Sequence, residues 1–413
     1  MATSIQPMRY SEAERRRGLR VLLVSTFFAW GGFFMVVPMI SVHYVDGLGW
    51  TAASIGLILA IRQFAQQGLT VMAGVLADRF GVKTPILVGM ALRVLGFGSM
   101  AFAGTFGLLL ASSLLSALGG ALFESPRAAA TAALTHEAER PRFYTLVGVA
   151  GGLGTTLGTQ LGVLLLRADF ALVSVAAAIS YLVIFVLIWV FLPPVRVAAD
   201  EAGLFSGIGL ALRDQTFTRY TAFMAGHWFM MTQFLVALPL VTVVVMGSTE
   251  GIAWVYGVNA VVSVLLAYPL PRLFSRYVSP AVALIIGNLL TALGLFGIGL
   301  SLLGGTPVLL AAVFVYSIGI VIVRPNDQTV LAGLANPVAL GSYFGVALLS
   351  LGIGGGLGSV AGGWLYDLGV SLRQPLLLWL VCTVVGVASS AGLWWTMVAT
   401  SGRRLRAPEI GGV

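Results

Sequence analysis

Six charged side chains fall inside stretches of the chain that are otherwise apolar. They are Arg62, Arg93, Glu124, Arg127, Arg324 and Asp327. An ionisable side chain near the centre of a bilayer costs roughly 2.5–3.5 kcal/mol on insertion scales, so these six need an explanation. A poorly solvated site favours the protonated form of a carboxyl group, and neighbouring arginines favour its charged form. These residues therefore indicate a site where protons bind and leave within a membrane.

Glu124 is the first candidate for a proton carrier. It lies in the fourth apolar stretch, about five residues, or roughly 7 Å, past the middle. A change in its protonation could couple the binding of a substrate to the movement of a proton. The alternatives are a static ion pair with Arg127, three residues further on, or a strut to Arg62. The sequence leaves these alternatives open.

A second pair of charges lies 200 residues further along the chain with the signs reversed. Glu124 corresponds to Arg324 and Arg127 to Asp327. One hypothesis is that the two pairs interact in one conformation and separate in another. We favour the simpler interpretation, an ion pair between Arg324 and Asp327 within one helix.

Two further polar residues carry interpretations of their own. Arg93 is interpreted as structural. His227 has a side chain that can titrate near neutral pH, but a lone histidine is more often a satisfied hydrogen-bonding group.

The composition indicates an all-α membrane protein. Of the 413 residues 58% are hydrophobic and only 9% are charged, and the mean hydropathy is +0.98. Continuous apolar runs of about 20 residues fit helices crossing a hydrocarbon layer about 30 Å thick. Twelve transmembrane helices are predicted, at 19–45, 51–76, 83–104, 107–131, 143–166, 171–192, 218–246, 250–274, 279–303, 307–332, 341–367 and 374–399.

The positive charges predict the orientation. Loops on the side of the termini carry 17 lysines and arginines, and loops on the opposite side carry 2, Arg167 and Arg373. This asymmetry predicts a multi-pass inner-membrane protein with both termini in the cytoplasm. It also accounts for the net charge of +8 without nucleic acid as a partner, because the arginines meet anionic lipid.

The chain is predicted to have two related halves. Residues 1–192 form one six-helix bundle, 193–217 a cytoplasmic linker, and 218–413 a second bundle with a cytoplasmic tail. When residues 104–165 are shifted by 200 positions, six of their ten glycines fall on glycines. Parallel halves with a site between them near the midplane are known among secondary transporters.

The connection between the second and third predicted helices carries the strongest motif. Residues 74–83 read GVLADRFGVK, which resembles the signature GxLaDrxGrk of the major facilitator superfamily. The resemblance implies the major facilitator fold of two pseudo-symmetric six-helix bundles. It also implies that the loop gates the cytoplasmic side by packing near the start of helix 11. The gating residues are Gly74, Asp78, Arg79, Gly81 and Lys83, with Gly81 in a tight turn of positive φ; Val82 stands where a basic residue is usual.

Longer stretches resemble the drug:proton antiporters of this superfamily. They are residues 32–38, 45–50, 62–69, 118–127 and 362–369. The resemblance implies proton-coupled efflux of drugs by alternating access and a link to antibiotic resistance. One departure is Thr159, which replaces the proline that antiporters often carry on helix 5, so the glycines around it indicate close packing more than antiport.

Aromatic and methionine side chains on three helices predict a pocket for lipophilic, including cationic, molecules. The candidate pocket residues are Trp30, Phe33, Phe34, His227, Trp228, Gln233, Tyr256 and Asn259. At least half of such residues must serve ordinary packing or lipid contact. The main alternative function is transport of one metabolite, such as a sugar, amino acid or organic ion; a receptor or scaffold is a further alternative.

Motifs for other chemistry are absent from the sequence. It contains no GxxxxGK[ST], no CxxC and no HExxH, and it has three histidines and one cysteine, Cys382. We therefore expect no enzyme activity, no metal and no cofactor, with a proton gradient as the energy source. A monomer is expected.

Overall fold

A computed structural model describes residues 11–136, 139–195, 204–267, 269–336 and 340–399 of the chain. Within these ranges only the backbone is described for residues 71, 74, 75, 77–79, 140–142, 204–207, 340, 341, 398 and 399. The described residues are helical, with no β-strand among them. Their contacts divide the chain into two units, of which the first is Met1–Glu201 with Ile252–Ala260, and the second is Ala202–Gly251 with Val261–Val413.

The helices of the first unit begin where small polar residues can cap them. The helices are α1 (Glu12–Ser41), α2 (Ala52–Phe80), α3 (Lys83–Ser99), α4 (Phe106–Leu134), α5 (Arg140–Leu166) and α6 (Phe170–Phe191). At the starts of α1, α2, α4 and α6, backbone N–H groups donate hydrogen bonds to the side-chain oxygens of Ser11, Thr51, Thr105 and Asp169, respectively. These caps satisfy N–H groups that the helices leave unpaired.

Glycines bring α1 and α5 into backbone contact. A Cβ atom added to Gly154, Gly158 or Gly162 would lie 2.2–2.3 Å from the carbonyl oxygens of Phe27, Gly31 and Met35, respectively. Any larger residue would therefore push the two helices apart. Another face of α5 exposes Leu153, Leu157, Leu161 and Leu164, as a surface in contact with lipid would.

The second unit contains most of the remaining helices. They are α7 (Leu204–Arg213), α8 (Gln215–Thr232), α9 (Ala237–Met246), α10 (Glu250–Leu266), α11 (Pro269–Tyr277), α12 (Pro280–Leu334), α13 (Leu340–Ser371) and α14 (Leu377–Trp394). Residues Ile252–Ala260 of α10 group with the first unit. The helix α8 packs on α13 and α14, and α12 packs on α14 and α9.

The structure adds detail to the predicted seventh span, which lies within the candidate membrane span Gln215–Met246, and to the predicted linker. The span 218–246 is interrupted at residues 233–236, which separate α8 from α9. The described part of the linker contains α7, whose residue Ala211 is buried in an apolar cluster with Phe217 and Tyr220. The length of the apolar stretch did not reveal the interruption, but Pro239 in the first turn of α9 marks it, because proline disfavours a helix through the residues that precede it.

The predicted break between the ninth and tenth spans is present in the structure. Helix α12 covers both spans, and Gly305, which lies between them, divides it with a φ of 69° and a ψ of −163°. The predicted eighth span bends by 58° between α10 and α11. Glycine has no Cβ atom, so it adopts a positive φ without strain.

Glycines of α13 repeat the contacts of α5 within the second unit. A Cβ atom on Gly354 or Gly358 would lie 2.1 or 2.6 Å from the carbonyl oxygens of Ala225 and Phe229 on α8. These glycines are the counterparts of Gly154 and Gly158 under the shift of 200 residues. The sequence repeat therefore corresponds to the same helix contact in each unit.

The lengths and apolarity of the helices fit a protein that crosses a membrane many times. Among the described residues nine helices are long and apolar enough to span a bilayer, or ten if α10 and α11 form one bent span. The nine count α12 once, although Gly305 divides it. The fold is therefore an all-helical membrane fold, and the number of twelve spans stays a prediction.

Candidate functional site

Glu124 forms an ion pair with Arg127 on the same helix. One turn of α4 separates them, and Arg127 Nη2 lies 3.1 Å from Glu124 Oε2. The Arg127 guanidinium group also approaches Thr26 Oγ1 on α1 at 3.4 Å and lies over the Phe123 ring. The side chain of Glu124 is 38% exposed, whereas that of Arg127 is 16% exposed. The carboxylate is thus accessible while its partner is held in the helix packing.

A group of four side chains, three of them buried and Gln66 half-buried, lies on neighbouring helices of the same unit. This arginine cluster consists of Arg62 and Gln66 on α2, Arg93 on α3 and Tyr181 on α6. Arg62 Nη2 donates to Gln66 Oε1 at 2.8 Å, and the guanidinium group lies 4.8 Å from the centre of the Phe33 ring. Arg93 Nη1 donates to the Tyr181 hydroxyl at 3.0 Å.

The tyrosine of the arginine cluster connects three helices. The Tyr181 hydroxyl accepts from Arg93 and donates to the carbonyl oxygen of Ala29 on α1 at 3.0 Å. The Arg93 guanidinium group also lies 5.0 Å from the centre of the Tyr181 ring. These contacts support the structural interpretation of Arg93. The predicted strut between Glu124 and Arg62 is not formed in this structure, because Glu124 pairs with Arg127.

The predicted ion pair between Arg324 and Asp327 is wrong for this structure. The Asp327 carboxylate accepts a hydrogen bond from the hydroxyl of Tyr220 on α8. No ion pair within 4 Å joins Asp327 to Arg324, both of which belong to the described part of the chain. Arg324 is exposed, and Tyr220 is buried. Helical spacing favoured the pair, but a tertiary hydrogen bond to α8 turns the carboxylate away.

His227 belongs to a buried hydrogen-bond network of the second unit. Its Nδ1 atom lies 3.0 Å from Asn288 Oδ1 on α12. Asn288 Nδ2 donates to the hydroxyls of Ser389 and Ser390 on α14 at 3.1 and 2.9 Å. Ser389 in turn donates to the carbonyl oxygen of Phe223 on α8. In this structure His227 is a hydrogen-bonded core residue with 2% exposure, and a contact with substrate stays a prediction.

Aromatic candidates of the first unit lie next to one another. Trp30 stacks on Phe34 with a centroid distance of 5.8 Å, and Phe33 contacts Phe34 edge to face at 5.3 Å. Phe34 lies 6.3 Å from Tyr256, which belongs to the same unit. Tyr256 is buried, whereas Trp30, Phe33 and Phe34 are half-buried. Partly exposed rings of this kind offer an adaptable apolar surface.

The other pocket candidates are placed differently. Gln233 is fully buried beside the interruption of α8, where its Nε2 atom donates to the carbonyl oxygens of Phe229 and Gly358 at 3.1 and 2.8 Å. Its amide group therefore serves helix packing in this structure. Trp228 and Asn259 are half-buried. Their contact with a substrate stays a prediction.

The gating motif is described in part. Gly81 has a φ of 75°, so the predicted tight turn with positive φ is confirmed. Lys83 Nζ donates to the carbonyl oxygen of Leu192 at the end of α6, at 2.8 Å. The side chains of Asp78 and Arg79, and the surroundings of Gly74, lie outside the described residues. The function of the motif as a gate stays a prediction.

A cavity of about 250 Å³ lies away from the candidate site, near the ends of α1, α3 and α6. It is lined by His43, Tyr44, Leu48, Met100, Ala101, Phe102, Ala103, Gly104, Asp169, Phe170 and Ala171. The cavity includes none of the candidate pocket residues. The charged and aromatic residues that the sequence analysis selected do not predict the position of this cavity.

Sequence reasoning missed the neutral partners of the buried charges. Gln66 lies four residues after Arg62, which is the helical spacing that could have pointed to it. Tyr181 and Tyr220 bond with residues distant in the chain. No local pattern reveals such partners, since the pairing depends on how the helices pack.

The family comparison covers most of the chain. The family model described as Major Facilitator Superfamily matches residues 22–358. A relative named Multidrug resistance protein MdtH, from Escherichia coli O157:H7 (strain EC4115 / EHEC), is 35% identical over 387 residues. These residues are 94% of this chain and 96% of the relative. The similarity therefore extends over nearly the full length of both proteins.

Solved transporter structures share the fold at low sequence identity. A POT family transporter in complex with a thioalcohol-conjugated peptide gives a TM-score of 0.76 at 15% identity, over 94% of this chain and 96% of that one. The human organic anion transporter MFSD10 gives 0.67 at 17% identity, over 92% and 99%. At these identities the likeness concerns the fold alone.

Proposed function

The chain belongs to the major facilitator superfamily, and from this premise we propose that it expels drug-like small molecules from a bacterial cell in exchange for protons. It is a multi-pass membrane protein, and we place it in the inner membrane with both termini in the cytoplasm. The observation that carries the proposal is the 35% identity to a multidrug resistance protein over 94% of the chain. Alternating access would move the substrate and the proton in opposite directions.

The proton carrier in this proposal is Glu124. Its carboxylate is partly exposed and has a cationic partner, Arg127, at 3.1 Å. A carboxyl group that is accessible, lies within a membrane helix and is paired with a single cation can exchange a proton when that pairing is disturbed. Binding of a cationic drug would favour the charged carboxylate, and departure of the drug would favour the protonated form.

The substrates in this proposal are small and lipophilic, and include cations. Half-buried Trp30, Phe33 and Phe34 offer ring faces that accept apolar molecules of varied shape and attract cations. A proton gradient supplies the energy, so the chain needs neither a cofactor nor an enzymatic step. Transport of a single metabolite is the competing proposal.

An efflux assay in a bacterial host lacking its own drug pumps tests the function. Cells producing the protein are loaded with ethidium and with uncharged and zwitterionic drugs, and efflux is followed with and without a protonophore. We expect faster efflux of several unrelated compounds and its loss when the protonophore is added. Efflux that is confined to one class of metabolite, or that survives the protonophore, would contradict the proposal.

A further inference from the structure

Two arginines of the first unit are buried without a compensating negative charge. Arg62 is 5% exposed and Arg93 is 4% exposed. Within the described part of the chain no carboxylate lies within 4 Å of either guanidinium group. The Nε atoms of both arginines also have no hydrogen-bond acceptor. Burying an unpaired cation costs several kcal/mol, so a negative charge in reach of the cluster would be strongly favoured.

The packing around the arginine cluster leaves little room for a free anion between α3 and α4. A Cβ atom on Gly120 would lie 2.5 Å from Arg93 Nη2 and 2.9 Å from Gln66 Cδ. A Cβ atom on Gly119 would lie 2.4 Å from the carbonyl oxygen of Gly89. A side chain of the protein itself that reaches the cluster from its edge is therefore the better source of negative charge.

Glu124 is the carboxylate placed to do this. It lies one helical turn after Gly120 on α4, and helical side chains lean toward the N-terminus of their helix, which is the direction of Gly120. Beside Gly120 lie both the Arg93 guanidinium group and Gln66, whose Oε1 atom accepts the hydrogen bond from Arg62. In this structure the carboxylate points the other way, to Arg127.

We propose that Arg62 is the second partner of Glu124, so that the carboxylate exchanges between Arg127 and the arginine cluster during the transport cycle. Arg93 adds positive charge beside Arg62 while Tyr181 holds it in place. The inference rests on the proposed function in one respect, namely that Glu124 becomes charged after it releases a proton. The exchange moves the carboxylate by about one helical turn, roughly 5 Å, along the membrane normal. Arg62 acts through Glu124 and is a positioning residue.

Thermal unfolding of purified full-length variants tests the exchange without any substrate. The variants are Arg62→Gln, Arg127→Gln and the double variant, each also in a Glu124→Gln background. If the two arginines are alternative partners, each single change leaves Glu124 one of them, and the double change leaves it only Arg93, whose guanidinium group is already bonded to Tyr181. We expect the double variant to lose about 3 °C or more in melting temperature beyond the sum of the single losses. This excess should vanish in the Glu124→Gln background, where no charge needs a partner.

Conservative variants separate this interpretation from a purely structural one. Arg62→Lys with Arg127→Lys keeps both charges, so its losses should be additive. Arg219→Gln, which removes a cation that lies over Trp395 in the second unit, should add independently to Arg127→Gln. Additive losses for Arg62→Gln and Arg127→Gln, or an equal excess with and without Glu124, would overturn the inference. A double variant that fails to fold in both backgrounds would overturn it too.

The outcome of the thermal-unfolding test can be distinguished from the outcome of the transport assays. If Glu124→Gln still carried out proton-driven efflux, the carrier assignment would fail while the thermal excess stood. If the non-additive loss of melting temperature were absent and Glu124→Gln abolished proton-coupled efflux, the assignment of Glu124 as proton carrier would stand. Only the exchange between Arg127 and Arg62 would then be wrong.

Discussion

At the residue scale, Arg15 at the start of α1 holds an acidic residue at the start of α5. Arg15 Nη1 lies 2.7 Å from Glu139 Oε2 and 3.4 Å from the carbonyl oxygen of Leu134, and Arg15 Nε lies 2.8 Å from Glu12 Oε2. Arg15 is buried, whereas the Glu139 side chain is half exposed. The hydrogen bond from Arg15 lowers the pKa of Glu139 below its ordinary value of 4.5.

This lowered pKa predicts a pH dependence of stability. A carboxyl group whose pKa is lower in the folded state stabilises the protein above its unfolded pKa, and this contribution disappears as the pH falls. We expect the melting temperature of the wild type to fall more than that of Glu139→Gln as the pH is lowered from neutral to below 4.5. The difference should be small because Glu139 is exposed to water. Parallel melting curves for the two proteins across this range would contradict the assignment.

At the element scale, glycine contacts set the distance between paired helices. We predict that Gly354→Ala destabilises the second unit, because its Cβ atom would lie 2.1 Å from the carbonyl oxygen of Ala225. Overpacking of this kind costs about 1–3 kcal/mol. The matched control is Gly345→Ala on the same helix, where an added Cβ atom has no neighbour within 4 Å. The control should be neutral or stabilising by up to about 1 kcal/mol.

Melting temperatures of the two variants in detergent decide the prediction. Equal values for Gly354→Ala and Gly345→Ala would show that α8 and α13 adjust without cost.

The same glycines show how far sequence could predict the elements. Apolar runs indicated the membrane helices, and the repeat of Gly154 at Gly354 indicated equivalent contacts. The interruption after Thr232 and the bend between α10 and α11 each precede a proline, Pro239 in the first turn of α9 and Pro269 at the start of α11, so both breaks carry a local signal that the length of the apolar runs did not use. At the site, sequence could locate the charges but not their partners: Glu124 with Arg127 follows helical spacing, whereas Asp327 with Tyr220 depends on tertiary packing.

At the scale of the whole molecule, the asymmetry of positive charge predicts the orientation in the membrane. Single cysteines introduced as Ala168→Cys and Ser275→Cys, both at exposed positions, report the two sides. The native Cys382 is buried and is replaced by serine in both variants. A membrane-impermeant maleimide should label Ala168→Cys in intact spheroplasts and Ser275→Cys only in inverted vesicles. Labelling of Ser275→Cys in intact spheroplasts would contradict the proposed orientation.

The central claim is that one carboxylate couples drug movement to proton movement. The most direct test reconstitutes the wild type and Glu124→Gln in liposomes with a pH gradient, and follows both the pH inside and a drug that the cell assay shows to be expelled. Glu139→Gln is the matched control, because it removes a carboxylate at the end of the helices and not within the membrane. We predict that the wild type and Glu139→Gln accumulate the drug against its gradient as protons leave, and that Glu124→Gln falls to the level of protein-free liposomes. Undiminished proton-driven accumulation by Glu124→Gln would contradict the claim.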